Sequence, residues 1–163
     1  MKLLILPQVL AEQQSEYWND KTSVISIVGP LEADAEFARN KNIDKIFRMY
    51  FNDLITDFKI DDDVMPAPVQ SDFTGLKDFV DSLNCDTLVV HCGAGYSRSA
   101  AVAAAINEYL DLDYEIFNNK NYCPNITVYQ CCMKELGIAK TKDYYEELFN
   151  KETSDVIFDD EER

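Results

Sequence analysis

The chain of 163 residues carries 30 acidic and 15 basic side chains, a formal net charge of −15 at pH 7. This length suits one domain whose core needs no disulfide or metal, and a hydrophobic share of 47% excludes a disordered chain. So negative a charge argues against polyanionic partners, and we expect neither nucleic acid nor an anionic membrane surface as a partner. We predict a single domain over residues 1–150 and an acidic tail over 151–163.

Targeting signals and metal sites are not expected from the sequence. The first apolar run stops at Pro7, which is too short for a signal peptide, and no apolar run is long enough to cross a bilayer. Five cysteines, an odd number, indicate reduced thiols and a cytoplasmic protein. Because the chain has one histidine, His91, and no Cys-x-x-C pair, we predict no metal and no cofactor.

The first third of the chain alternates predicted strands and helices. An apolar strand covers residues 2–6, and a helix follows over 8–19. The β-branched residues 24–28 predict a second strand that stops at Gly29-Pro30. Residues 31–39 predict a short helix, and residues 46–51 predict a third strand.

The central part begins with a long predicted loop over residues 54–69, a length that is often functional. Asp72 is a candidate cap for the helix that follows, and residues 87–90 are a continuous apolar run typical of a buried parallel strand. An alanine-rich helix extends to about Leu110, and the remainder to about Lys151 is predicted to be largely helical, most clearly over 126–136.

The alternation predicts an α/β fold, with a mostly parallel central sheet of about four or five strands flanked by helices. Ligands of such sheets bind beyond the carboxyl ends of the strands. Three segments therefore meet at one rim of the sheet: Gly29-Pro30, the loop that begins at Asn52, and the loop after Val90.

The loop after Val90 has the sequence His-Cys-Gly-Ala-Gly-Tyr-Ser-Arg-Ser over residues 91–99. Glycines allow unusual backbone angles, so the N–H groups of the loop can form an anion nest. The helix that follows directs its positive end to the same point, which favours a thiolate at Cys92. Arg98 offers a planar fork that matches two phosphoryl oxygens, and Ser99 can donate its hydroxyl to the thiolate. The residues themselves thus predict a phosphate cradle with a nucleophile at its base.

This motif, Cys92-x5-Arg98 followed by Ser99 and preceded by His91, resembles the signature loop of cysteine-dependent protein phosphatases, in particular their dual-specificity and bacterial tyrosine-phosphatase-like branch. A strand that closes in Asp53 and a downstream Pro124-Asn125 are also similar to that family. The resemblance covers roughly residues 24–137 and implies hydrolysis of phosphomonoesters through a phosphocysteine at Cys92. It also implies phosphate binding by Arg98 and by the loop amides contributed by Gly93, Ala94, Gly95, Tyr96 and Ser97.

The resemblance also implies an aspartic acid that protonates the leaving group. Asp53 follows a strand parallel to the cysteine strand and lies 39 residues before Cys92, a longer spacing than is usual in the family. Asp57 and the run Asp61, Asp62 and Asp63 stay open as alternatives. His91 is predicted to be a buried residue that supports the loop, because neighbours on an extended segment point apart.

The expected substrate is a phosphorylated protein, with phosphotyrosine first and phosphoserine or phosphothreonine as further candidates, or a small phosphate ester. We expect a monomer. Two other functions stay open: a binding module that keeps the cradle without turnover, and a rhodanese-like sulfurtransferase. Cys85 and Cys123 are candidates for a regulatory disulfide with Cys92.

Overall fold

The structure, a computed structural model, describes residues 1–158, with side chains described to Lys151. The strands are β1 (Lys2–Pro7), β2 (Thr22–Val28), β3 (Ile43–Tyr50), β4 (Phe58–Ile60), β5 (Asp63–Met65) and β6 (Thr87–Cys92). The helices are α1 (Gln8–Gln14), α2 (Leu76–Asp81), α3 (Arg98–Tyr109), α4 (Ile126–Glu135) and α5 (Lys142–Phe158).

Four of these strands form a parallel sheet in the order β1-β6-β2-β3. Val90 of β6 lies between Ile5 of β1 and Ile25 of β2. All six residues of β6 are buried, as expected for a strand that is apolar on both faces and covered on both sides. The predicted fold class is confirmed, with four strands in the central sheet.

Side-chain alternation along β6 divides its residues between two cores. Leu88, Val90 and Cys92 belong to the larger core with α2, α3 and α4, whereas Val89 packs with Ala11 of α1 on the opposite face. Short alanine side chains let α3 lie close to the sheet, and its first nine residues are all buried. The alternation therefore directs Cys92 and His91 to opposite sides of the sheet.

The helix predicted over residues 31–39 is wrong. This segment is irregular, because its backbone N–H groups are bound by side chains of the first helical region rather than by its own carbonyls. The Glu36 N–H donates to Glu12 Oε1 at 3.0 Å, and the Ala38 N–H donates to Ser15 Oγ at 2.8 Å. These contacts fasten the segment to α1 and to the 3₁₀ turn Ser15–Tyr17 that follows it. Helix α1 covers the face of the sheet on which Val89 lies.

The other predicted helices are shorter in the structure than the sequence suggested. The helix predicted over 8–19 ends at Gln14 and continues as a 3₁₀ turn, Ser15–Tyr17. Residues 111–125 are largely non-helical, and Asp111 has a left-handed φ of 51°. The stretch after Asp72 is split by Gly75, whose φ of +88° interrupts helical geometry before α2. The predicted tail boundary at residue 150 falls within α5, and residues 159–163 lie outside the described part.

The predicted loop over residues 54–69 contains an antiparallel hairpin. β4 and β5 are joined by a two-residue turn, Asp61-Asp62, in which Asp61 has a φ of 52°. Aspartate tolerates this conformation better than most residues, which allows a tight turn without glycine. Across residues 1–158, none of the helices combines the length and apolar character needed to cross a bilayer.

Candidate active site

The candidate site is the loop of residues 93–97, which joins the carboxyl end of β6 to the first turn of α3. Pro7 of β1 pairs with Cys92, and the Gln8 N–H donates to the Gly93 carbonyl at 3.2 Å. Gly95 has a φ of +67°, and a Cβ there would lie 2.5 Å from the Leu6 carbonyl carbon. The loop is therefore braced against the end of β1, which requires glycine at position 95. Gly93 has no left-handed φ, so the expectation of unusual angles at both glycines holds at Gly95 alone.

The loop carbonyls are bound from outside the loop. The Cys123 N–H donates to the Tyr96 carbonyl at 3.1 Å, and the Asn125 N–H donates to the Ser97 carbonyl at 3.4 Å. Because the C=O and N–H of a trans peptide point in opposite directions, carbonyls held on the outside turn the adjoining N–H groups toward the inside. This geometry favours an anion between Cys92 and Arg98.

Cys92 lies at the base of the loop, with 2% of its surface exposed. Its Sγ atom is 3.1 Å from Ser99 Oγ, and Ser99 is fully buried in the first turn of α3. A hydroxyl at this distance donates to a thiolate and stabilises its negative charge. Ser99 is therefore close enough to hydrogen-bond the sulfur of Cys92.

Arg98 is 7% exposed and contacts neighbours through its two terminal nitrogens. Nη1 donates to the Phe51 carbonyl at 3.1 Å and lies 3.4 Å from Glu32 Oε2. The third nitrogen, Nε, is buried and has no hydrogen-bond partner in the described part of the chain. A buried N–H of a charged group is costly to leave unpaired, so an anion on the Nε side of the guanidinium would be stabilised there.

Glu32 is a site residue that sequence reasoning missed. Its carboxylate accepts a hydrogen bond from the Gly29 N–H and faces Arg98 across the rim. The Gly29 hydrogen bond, together with the Arg98 charge, lowers the pKa of Glu32. The sequence contains one hint of Glu32, which is that it closely follows Gly29-Pro30, a segment predicted at the same rim. Nothing else distinguished it from other acidic residues of a predicted surface helix.

Asp53 is the aspartate that the structure brings to the loop. Its Oδ1 atom accepts hydrogen bonds from Ser97 Oγ at 2.8 Å and from Asn125 Nδ2 at 2.9 Å. Asp57 lies at the base of the hairpin, where it accepts from the Ala67 N–H at 2.9 Å. Asp61, Asp62 and Asp63 are exposed at the turn of the hairpin.

Asn125 connects three parts of the site. Its Oδ1 accepts from the Val128 N–H and caps α4, while its Nδ2 donates to Asp53 and to the Leu54 carbonyl. The sequence motif Pro124-Asn125 singled out this position, but it did not predict which residues Asn125 contacts. The structure shows that Asn125 links α4, the loop and the segment of Asp53.

His91 faces away from Cys92, as predicted. Its Nε2 atom is 2.8 Å from Ser26 Oγ of β2, and its ring meets Phe37 edge-on at 5.6 Å between centroids. Burial lowers the pKa of His91 to about 4. The imidazole is therefore neutral at physiological pH. It packs against Ser26 and Phe37 on the face of the sheet opposite Cys92.

A titration by NMR checks the state of His91. Because His91 is the single histidine, the signals of its two ring C–H protons are assigned without ambiguity, and we expect them to titrate near pH 4 in the folded protein and near 6.5 in urea. Between about pH 4 and 6.5 the unfolded chain binds a proton that the folded chain does not. The contribution of His91 to the free energy of unfolding is therefore fully present above about pH 6.5 and declines as the pH falls toward 4. A folded-state midpoint near 6.5 would contradict this burial effect.

The other four cysteines differ in their distance from Cys92 and in the reactivity of their thiols. Cys85 precedes the opposite end of β6, about 20 Å from Cys92 along an extended strand, so a Cys85–Cys92 disulfide is excluded. Cys123 contacts the loop through its own N–H, which donates to the Tyr96 carbonyl, and its disulfide with Cys92 stays a prediction. Burial raises the pKa of Cys131 and Cys132, which makes both thiols less reactive. Over residues 1–151, whose side chains the structure describes, no three His, Cys, Asp or Glu side chains are grouped to hold a metal ion.

Comparison with known protein families and with characterised proteins gives no match to this sequence. Among solved structures, the chain is similar to a human tyrosine phosphatase-like serine/threonine/tyrosine-interacting protein. The two share 17% sequence identity with a TM-score of 0.44, over 94% of this chain and 93% of the other. Similarity at this level says nothing about activity, which depends on the side chains of the loop and its neighbours.

Proposed function

We propose that the chain is a cysteine-dependent phosphatase that hydrolyses phosphate monoesters, with phosphotyrosine in proteins as its main substrate and phosphoserine or phosphothreonine as further substrates. The observation that carries the proposal is the pairing of two buried groups at one loop. The Cys92 thiol lies 3.1 Å from the Ser99 hydroxyl, and the Arg98 Nε has no partner in the described chain. A nucleophilic sulfur and an unpaired guanidinium N–H that flank one loop suit a phosphate monoester, because sulfur can attack phosphorus while the N–H binds one of its oxygens.

In the first step, the Cys92 thiolate attacks phosphorus in line with the leaving oxygen. An S–P bond forms while the P–O bond to the substrate breaks, and the Asp53 carboxylic acid gives its proton to the leaving oxygen. The loop N–H groups and Arg98 stabilise the charge on the three equatorial oxygens. Both hydrogen bonds to Asp53 use Oδ1, which leaves Oδ2 as the oxygen that we assign to the proton transfer.

In the second step, water attacks the phosphocysteine. The Asp53 carboxylate accepts the proton of the water, the S–P bond breaks, and its electron pair returns to sulfur as the thiolate. Inorganic phosphate leaves, and Asp53 is protonated for the next cycle. The Ser99 hydroxyl, 3.1 Å from Sγ, stabilises the departing thiolate.

Hydrolysis of p-nitrophenyl phosphate, with reductant and a chelator present, tests the proposal. We expect turnover that the chelator leaves unchanged, inhibition by vanadate, and loss of turnover in Arg98→Ala. Arg98→Lys separates charge from geometry: we expect it to remain strongly impaired, because an ammonium group lacks the planar fork. A folded wild type that binds vanadate without turnover would favour a phosphate-binding module. Thiocyanate formation from thiosulfate and cyanide would favour a sulfurtransferase.

Asp53→Asn tests the general acid, because an amide oxygen still accepts from Ser97 and Asn125 but carries no proton to give. We expect a loss of about 10²–10³-fold on phenyl phosphate, whose leaving group needs protonation. The loss on p-nitrophenyl phosphate is expected to be smaller, because nitrophenolate leaves without a proton. Asp57→Asn is the matched control, expected to keep both rates close to wild type. Equal losses in the two variants, or on the two substrates, would contradict the role of Asp53.

A further inference from the structure

The hairpin of β4 and β5 exposes apolar side chains beside the site. Phe58 and Ile60 lie on one face of the hairpin with Met65, which pairs with Phe58, and their exposed fractions are 52%, 52% and 41%. An isolated two-stranded hairpin buries little of its own surface. Three large apolar side chains on such a small exposed face therefore indicate a contact surface.

The base of this hairpin is fastened next to the loop. Asn52 Nδ2 donates to the Pro66 carbonyl at 3.0 Å, and the Ala67 N–H donates to Asp57 at 2.9 Å. Asp53, in the segment that leads into the hairpin, accepts from Ser97 of the loop. Phe58 is five residues beyond Asp53, so their Cα atoms are at most about 17 Å apart, the reach of about five extended peptide residues.

The same hairpin carries a strong negative charge. Between residues 57 and 63 there are four aspartates and one lysine, and all of these side chains are exposed. Asp63 pairs with Ile60 across the strands and so lies on the apolar face itself. The surface therefore combines apolar contact with negative charge, which complements a peptide of the opposite charge.

We propose that the hairpin face formed by Phe58, Ile60, Asp63 and Met65, with the turn Asp61-Asp62, binds the substrate segment next to the phosphorylated residue. The segment that fits carries lysine or arginine together with apolar residues, within about five positions of the phosphorylated side chain. This inference rests on the proposed function, because the cradle positions the phosphorylated residue near the hairpin. It assigns the substrate class: phosphoproteins with basic and apolar sequence around the modified residue.

A second copy of this chain is a poorer occupant of the same face. The chain carries a net charge of −15, and two hairpins in contact would bring eight aspartates and two lysines together. Repulsion between these like charges opposes self-association at low ionic strength, whereas the same negative charge attracts a basic peptide. Dimer formation through the hairpin is therefore an outcome that would overturn the proposal.

Peptide affinities measured on the Cys92→Ser variant test the surface without turnover. Two phosphotyrosine peptides are compared, one flanked by lysine, arginine and leucine, the other by glutamate and serine at the same positions. We expect the basic peptide to bind at least about tenfold more tightly, with the preference reduced by high salt. Asp61→Asn with Asp62→Asn is expected to reduce the preference about fivefold. Phe58→Ser is expected to weaken the basic peptide about tenfold.

Asp111→Asn with Asp113→Asn is the matched control for the charge change, because it also removes two exposed charges and Asp111 also has a left-handed φ of 51°, but the pair follows the far end of α3. Val9→Ser, at an exposed position of α1, is the control for the apolar change. Equal affinities for the two peptides, an unchanged preference in the hairpin variants, or a hairpin-dependent dimer in sedimentation would overturn the proposal. Wild-type turnover of p-nitrophenyl phosphate reports on the proposed function separately, so either inference can fail while the other stands.

Discussion

Replacement of Cys92 by serine is expected to abolish hydrolysis of p-nitrophenyl phosphate, with a loss of about 10⁴-fold or more. Serine is similar in size to cysteine, so it fits the buried position beside Ser99. Its hydroxyl is a far weaker nucleophile than a thiolate, and His91 cannot activate it, because this histidine lies on the opposite side of the sheet. We therefore expect the variant to fold and to bind phosphate while chemistry stops.

Cys85→Ser is the matched control for this substitution. Cys85 is a free thiol near the other end of β6, so its replacement makes the same chemical change about 20 Å from the loop. Steady-state rates of both variants, with thermal unfolding to verify folding, decide the matter. Turnover that persists in Cys92→Ser would contradict the thiolate mechanism, and equal losses in both variants would indicate a general structural effect.

Gly95→Ala is expected to be the most damaging small substitution in the loop. The new Cβ would overlap the Pro7 nitrogen and the Leu6 carbonyl carbon, which are backbone atoms, and the φ of +67° disfavours any side chain. The loop would have to move away from β1, which breaks the Gln8–Gly93 hydrogen bond. We expect a loss of about 2–4 kcal/mol in the free energy of unfolding, together with most of the activity.

Gly93→Ala provides the comparison within the same loop. Its Cβ would lie 3.5 Å from Arg98 Nη2, an ordinary contact with the end of a flexible side chain. We expect a loss of less than about 1 kcal/mol in unfolding free energy, measured in urea at the same pH for both variants. A comparable loss at the two glycines would contradict the bracing of the loop by β1.

Local sequence patterns were sufficient for the central parts of this protein. The buried strand β6, the loop and the alanine-rich α3 are contiguous in the chain, so their order and spacing predict a strand–loop–helix unit. Alternation along β6 predicts that Cys92 and His91 face opposite sides of the sheet, and the structure agrees. Patterns failed where backbone groups find distant partners: residues 31–39 have helical composition, but Ser15 and Glu12 bind their N–H groups.

The sequence by itself determined the α/β class, the Cys92-x5-Arg98 loop and the residues that line it, because each depends on neighbours within a few positions. Only the tertiary structure decided which distant groups meet there: Glu32 beside Arg98, and Asp53 held by Ser97 and Asn125. These pairs are separated by 66, 44 and 72 residues. Polar residues at the ends of parallel strands have no periodicity to mark them. Their partners are set by strand order and register, which place the ends of β2, β3 and β6 at one rim.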